Sequence, residues 1–174
     1  MPESPPEIGV FYHPDDYIRV GKRLLIDLID VTIAVAACAG WTAILLFVSP
    51  NRVAIGMMWL SVWLAYFVFL KRSRFRTFGY RIGRARIVNL QGERPSVAAL
   101  LIRLLFVVGG PVNFVIDLFW IPSDPCRQAI RDKFAHTYVI RDTALPAGTG
   151  RILYRTYIML GTTFFFPEVE PKPS

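Results

Sequence analysis

The sequence predicts an all-α integral membrane protein: a two-helix transmembrane hairpin followed by a third apolar segment, broken by Gly109-Gly110-Pro111 and either kinked or re-entrant. Three observations predict it. An apolar share of 53% with only 19% charged residues, and a mean hydropathy of +0.41 over 174 residues, is high for a soluble domain. Leu24 to Val48 and Val53 to Leu70 are nearly unbroken apolar runs of 25 and 18 residues, and a helix needs roughly 20 to cross hydrocarbon. Between them stand Ser49-Pro50-Asn51-Arg52, a turn-like link that makes the two helices antiparallel neighbours.

Taken in order, residues 1–22 form a polar N-terminal arm. Its acidic, proline-rich start, Met1-Pro-Glu-Ser-Pro-Pro-Glu7, lacks the positive charge and short apolar core of a secretory signal, so no cleaved signal is expected. Arg19, Lys22 and Arg23 precede helix one, Arg52 alone lies in the turn, and eight Lys or Arg lie from Lys71 to Arg94. The positive-inside rule then puts the N-terminus and the basic stretch on the cytoplasmic side. The third segment, Val97 to Ile121, is halved by Gly109-Gly110-Pro111, where proline removes a backbone donor and the glycines add freedom. Halves of about 13 and 10 residues are each too short to span. Seven further basic residues follow Ile121, and a re-entrant return to the cytoplasmic side keeps them inside.

Two short β-branched stretches, Arg84 to Leu90 and Thr137 to Arg141, either pair as a small cytoplasmic β-ribbon or remain irregular interfacial loops. Residues 143–174 are a C-terminal extension. Within it Tyr157 to Phe166 is strongly apolar yet too short to cross, so it needs a cover: the membrane interface, the protein's own body or a partner.

The chemistry concentrates at the start of helix one, in Arg23-Leu-Leu-Ile-Asp27-Leu-Ile-Asp30. Charges near the middle of a membrane helix cost roughly 2.5 to 3.5 kcal/mol each, so they persist where paired, hydrated or used. Spacings of four, three and seven put Arg23, Asp27 and Asp30 within roughly 60° of one helix face. Asp30 lies roughly 9 Å past Leu24, and Arg103 as far past Val97. Two segments entering from one side would bring both to the same depth, and a re-entrant return brings Asp117 to a nearby level. A buried cluster of Arg103 with Asp30 and Asp117, rimmed by Arg23 and Asp27, is therefore expected. Its role is either to fix the packing of the segments or to exchange a proton or small cation.

Other readings are excluded or weak. A net charge of +7 flanks the apolar runs without a nucleic-acid recognition motif, so anionic lipid headgroups are the expected partner and nucleic acid is not. His136 has no second ligand at metal spacing, Cys38 and Cys126 suggest neither disulfide nor cluster, and no Ser/His/Asp or Cys/His arrangement argues for an enzyme. Neither a metal nor another cofactor is expected.

Several spaced residues together resemble the bacterial RDD family of small membrane proteins, named for one arginine and two aspartates. Its opening arginine falls on Arg23 beside Lys22, and its intrahelical aspartate on Asp30. Its middle pattern appears as Thr77-Phe78-Gly79-Tyr80, Val88, Gly92, Pro95-Ser96 and Arg103, and its last aspartate as Asp132-Lys133 before Thr137 and Val139. Tyr80 stands where a lysine is usual, His136 replaces a usual glycine, and Asp27 is an added acid. The resemblance covers roughly 19–142, and residues 23–142 would be the RDD-like membrane domain. It makes Asp132 and Lys133 candidate site residues at the cytoplasmic rim. It implies a multi-pass protein of the bacterial cytoplasmic (inner) membrane, suspected of transport and in some members linked to sodium/proton antiport.

Two functions follow. One is a cation- or proton-coupled transport component, with Asp30 as the exchanging carboxylate and few enough spans to require oligomers. The other is an accessory or structural subunit that docks on a larger membrane complex through its apolar tail.

Overall fold

The structure, a computed structural model, describes residues 8–48, 51–159 and 161–171. It divides into two units, Gly21–Gly83 and the remaining N- and C-terminal residues.

Gly21–Gly83 is helical. Helix α1, Val20–Val48, and helix α2, Arg52–Leu64, account for the two long apolar runs, and α2 continues through a π-helical stretch, Ala65–Leu70. Among the described residues, the α1 helix and the combined run Arg52–Leu70 are the two helices long and apolar enough to cross a membrane. Of the linking turn, Ser49 and Pro50 lie outside the described residues. Asn51 caps α2, its side chain accepting from Val53 N at 2.9 Å and Ala54 N at 3.3 Å. The indole of Trp59 donates to Thr42 Oγ1 at 2.9 Å, and Tyr66 reaches Asp30, so α1 and α2 run antiparallel. Side chains such as Phe47 (93% exposed), Val53 and Met57 face outward, a surface that water would disfavour and lipid would not. A short helix α3, Phe78–Ile82, ends the unit.

The other unit overturns the all-α expectation. Over the described chain helix is 55% and strand 23%, with five strands in two sheets. Strands β1 (Ile8–Phe11), β4 (Gly148–Met159) and β5 (Thr162–Pro171) form one antiparallel sheet in the order β1-β4-β5. Strands β2 (Ala85–Asn89) and β3 (Thr137–Arg141) pair as a separate ribbon, Ala85 opposite Arg141 and Asn89 opposite Thr137. The physical reason is that the tail is not a featureless apolar patch. It folds back as a hairpin in register from Gly150↔Pro171 to Met159↔Thr162, with Gly161 at φ 76° in the turn. Tyr12, Tyr17, Val88, Leu90, Tyr138, Ile140 and Ala144 form a core, against which Val10, Ile152 and Val169 of the three-stranded sheet also pack.

The third apolar segment is two helices, α4 (Val97–Val108) and α5 (Pro111–Ser123), and the chain turns by 116° between them. Gly110 adopts φ 88°, open to glycine and strained for other residues, and Pro111 occupies the first turn of α5, where its missing N–H costs nothing. Asn113 Nδ2 donates to Phe106 O at 2.6 Å, satisfying a carbonyl that the break releases from α4. Helix α6, Ile130–Phe134, precedes β3.

Candidate functional site

Asp30 is fully buried on α1, on a stripe with Arg23, Ile26, Asp27, Ala34 and Cys38. Both of its carboxylate oxygens are engaged inside the helical unit. Tyr66 Oη donates to Oδ1 at 3.0 Å and Gly79 N donates to the same oxygen at 2.7 Å, while Thr77 Oγ1 donates to Oδ2 at 2.6 Å. Each donor has a structural origin. Tyr66 sits in the π-helical stretch, a winding that often accompanies functional positions. Thr77 precedes α3 without using its hydroxyl as a cap, which leaves that group for Asp30. The Gly79 amide belongs to the first turn of α3, where N–H groups have no partner within the helix.

Glycine is required at 79. A Cβ there would collide with Ile26 O and stand 2.8 Å from Asp30 Oδ1, so only a bare backbone lets the amide reach the carboxylate. Next to it, Tyr80 is buried and its ring lies 4.5 Å below the Lys71 ammonium, a cation–π contact where the family resemblance expects a lysine.

The second charged assembly lies in the sheet-bearing unit. Arg103 of α4 pairs with Asp132 of α6 and donates to Thr137 Oγ1 of β3 at 3.0 Å, with Arg103 and Asp132 side chains 4% and 0% exposed. The other oxygen of Asp132 accepts from Ala129 N at 3.1 Å, so the carboxylate also caps the start of its own helix. Asp117 of α5 pairs with Arg131 at 3.4 Å.

Beside these, Lys133 is buried within a polar cage: Asp124 at 2.5 Å, Glu168 at 2.6 Å, Tyr157 Oη at 3.1 Å and Gln128 Oε1 at 3.3 Å. Tyr157 also donates to Glu168, and the exposed Arg155 pairs with Glu168 at 3.2 Å. Burial alone would push the ammonium of Lys133 down, but the Asp124 and Glu168 carboxylates outweigh it and hold the group above the usual lysine range. Burial likewise acts upward on Glu168, and Lys133 with Tyr157 overcome it, leaving the carboxyl below its ordinary range. Close by, burial pushes the Cys126 thiol up to about 11, which keeps it protonated and unreactive at neutral pH.

The residues singled out by sequence are thus all buried, and they divide between the units: Arg23, Asp27 and Asp30 in one, Arg103, Asp117, Asp132 and Lys133 in the other. Within the second unit the structure brings Arg103 to Asp132 and Asp117 to Arg131. Sequence reasoning did not single out Tyr66, Asp124, Tyr157 or Glu168. Of these only Asp124 carried a signal, as a carboxylate shortly before Arg127, Arg131 and Lys133. Thr77 and Gly79 entered as part of a family pattern, without their role as donors to Asp30.

Among the described residues no group of three or more His, Cys, Asp or Glu side chains is placed to hold a metal ion. Comparison with curated proteins and with solved structures finds no match to this chain. The sequence profile of the RDD family does match, over residues 17–136, more than half of the chain, and its proteins are membrane proteins. That span runs from the entry into α1, through Asp30 and its donors and Arg103, to Asp132 and Lys133; the chain belongs to the RDD family.

Proposed function

We propose that this membrane protein is a component of cation- or proton-coupled transport and that Asp30 is its exchanging carboxylate. The observation that carries the reading is the make-up of the Asp30 cage. Inside its own unit the carboxylate is held by two hydroxyls and a backbone amide, not by a cation. A hydroxyl both donates and accepts. When Asp30 takes up a proton, Thr77 and Tyr66 can turn from donors into acceptors, and when it binds a cation they can turn their oxygens toward it. A guanidinium or ammonium could do neither. The cage therefore tolerates two states of the same carboxylate without leaving a buried group unpaired, which is what an exchange site needs.

The basic stretch from Lys71 to Arg94 and the basic residues after Ile121 support a multi-pass arrangement in a bacterial inner membrane with the N-terminus cytoplasmic, set against anionic headgroups. Two helices able to span, with one broken segment, are few for a pathway, so the working form would be an oligomer. The alternative of an accessory subunit docking through its tail has less to rest on, because Phe164 and Phe166 are already packed on Phe134.

The test is pH-dependent cation flux in vesicles containing wild type, Asp30→Asn or Thr77→Val. Loss of flux in Asp30→Asn, with a shifted pH profile in Thr77→Val, supports the reading; unchanged flux in an inserted, monodisperse Asp30→Asn removes it.

A further inference from the structure

The distal end of the β4–β5 hairpin has two unlike faces. On one, Phe164 and Phe166 close on Phe134 at 5.6 and 5.0 Å between ring centres, and Tyr157 meets Trp120 of α5 at 5.8 Å. The other face carries Tyr154, Thr156 and Ile158 of β4 opposite Pro167, Phe165 and Thr163 of β5. There Tyr154, Ile158 and Phe165 are 68%, 77% and 63% exposed. The protein's own body covers the first face and, Pro167 at its base apart, leaves the second open.

We infer that this open face lies in the interfacial layer of the lipid bilayer, as a shallow β-hairpin anchor. Three observations point to lipid. From Thr156 to Pro167 no residue is charged, and charge resumes at Arg155 and Glu168, which pair across the base of that stretch. An uncharged tip with an ion-paired base is the polarity profile of a membrane surface, and four strand residues reach about 13 Å, comparable to the depth of the headgroup and upper acyl layer. The helix that the covered face meets, α5, is itself suited to lipid: joined to the hairpin by Trp120 and Tyr157, it exposes Val112, Val115 and Phe119. Tryptophan at such a junction fits the aromatic belt of a bilayer.

The backbone limits the depth. β1 pairs with β4 only over Gly148–Arg151, and β5 is the outer strand of its sheet, so both long edges of the distal hairpin offer N–H and C=O groups with no strand partner among the described residues. Such edges find partners in water and headgroups and not in hydrocarbon. The anchor is therefore interfacial and does not span. The inference rests on α4–α5 lying at the membrane and is independent of whether Asp30 exchanges an ion.

The experiment uses the full chain with Cys38→Ser and Cys126→Ser, reconstituted in phosphatidylethanolamine/phosphatidylglycerol vesicles. An environment-sensitive fluorophore is placed in turn by Ile158→Cys, Thr163→Cys, Phe119→Cys and Glu170→Cys. The expected result is blue-shifted emission at 158 and 163, with about twofold stronger quenching by nitroxides at the headgroup or upper chain than at the chain end. Emission at 170 stays water-like and is quenched by aqueous iodide. Iodide quenching at 158 and 163 equal to that at 170 overturns the inference. So does a blue shift insensitive to every lipid nitroxide, which means a second copy or another protein covers the face. Lipid quenching at 119 without quenching at 158 or 163 overturns the hairpin anchor alone, and absence of lipid quenching at 119 removes the footing of both. Thr163 gives the reading on its own if Ile158→Cys does not insert.

Discussion

Lys133, the last residue but three of the family match, is held by Glu168, which lies well outside it, at 2.6 Å and with the two side chains 1% and 14% exposed. The C-terminal hairpin is therefore joined to the family's own segment by a buried charge, not merely appended to it. Replacing Glu168 with Gln leaves Lys133 with Asp124 and is expected to cost about 1.5 to 3 kcal/mol, the range for a hydrogen bond to a charged group. Asp124→Asn, which removes the closest partner, should cost more. Thermal unfolding in detergent measures both.

The pH dependence of that variant has a fixed sign. Folding lowers the Glu168 pKa from an ordinary value of about 4.5, so its contribution is full above that value and fades as pH falls through the lower, folded value. Folding raises the Lys133 pKa from about 10.5, so that contribution is full below 10.5 and fades only at higher pH. The difference in melting temperature between wild type and Glu168→Gln should be constant from pH 5 to 9 and shrink below about pH 4.5. A difference that grows on acidification contradicts the assignment.

Asp30→Asn turns one carboxylate oxygen into an amide nitrogen. With that nitrogen toward Thr77, whose hydroxyl then accepts, and the oxygen toward Tyr66 and Gly79, no donor is orphaned, and the loss is that of the charge on the bonds, about 1 to 2 kcal/mol. Thr77→Val, with similar shape and no hydroxyl, leaves one oxygen of the buried carboxylate without its donor and should cost about 1 to 3 kcal/mol. The two effects should fall short of additivity in the double variant, since they remove the same interaction.

Gly79→Ala is expected to be among the most damaging single-methyl changes in the chain, because the obstacle is the Ile26 carbonyl and not a flexible side chain. Overpacking of this kind costs about 1 to 3 kcal/mol. Gly21→Ala, at a position with nothing within 4 Å of a built Cβ, serves as the control and should be neutral or slightly stabilising.

His136 has φ 51°, in the left-handed region, at the position where family resemblance expects glycine. Its side chain is exposed, so the backbone decides the effect of substitution. His136→Val should destabilise by about 1 to 2 kcal/mol, the penalty for a β-branched residue with positive φ, while His136→Gly should be neutral or mildly stabilising. Equilibrium unfolding of the pair checks it.

The helices were legible because their signals are local: apolar length for α1 and α2, Ser49-Pro50-Asn51-Arg52 as the link between them, and Gly109-Gly110-Pro111 as a break. Of the sheets, the β2–β3 ribbon was legible as one of two readings of its β-branched stretches, and the three-stranded sheet was not. A half-buried strand announces itself by alternation, but the distal hairpin is apolar on both faces, with Tyr157 and Phe166 turned to aromatic rings and Ile158 and Phe165 turned outward. Alternation then vanishes from the sequence, and Phe164-Phe165-Phe166 reads as a patch. The four-residue strand β1 is too short to register by pattern, and its partner lies some 140 residues away. At the site, Asp30 was visible as a charge in an apolar run, whereas the approach of Tyr66 depends on helix winding that composition does not encode. Counting depth along α4 set Arg103 near a carboxylate but could not foresee Asp132, which comes from a helix of only five residues.

The π-helical stretch Ala65–Leu70 has a consequence for movement. Rewinding the stretch as ordinary α-helix would turn the residues after it by roughly 100°, one residue's worth of turn, relative to those before it. Tyr66 lies inside that stretch, so its winding and the Tyr66–Asp30 hydrogen bond are coupled. A change in how Asp30 is held would then be felt as a rotation of the helix end that leads into the basic stretch.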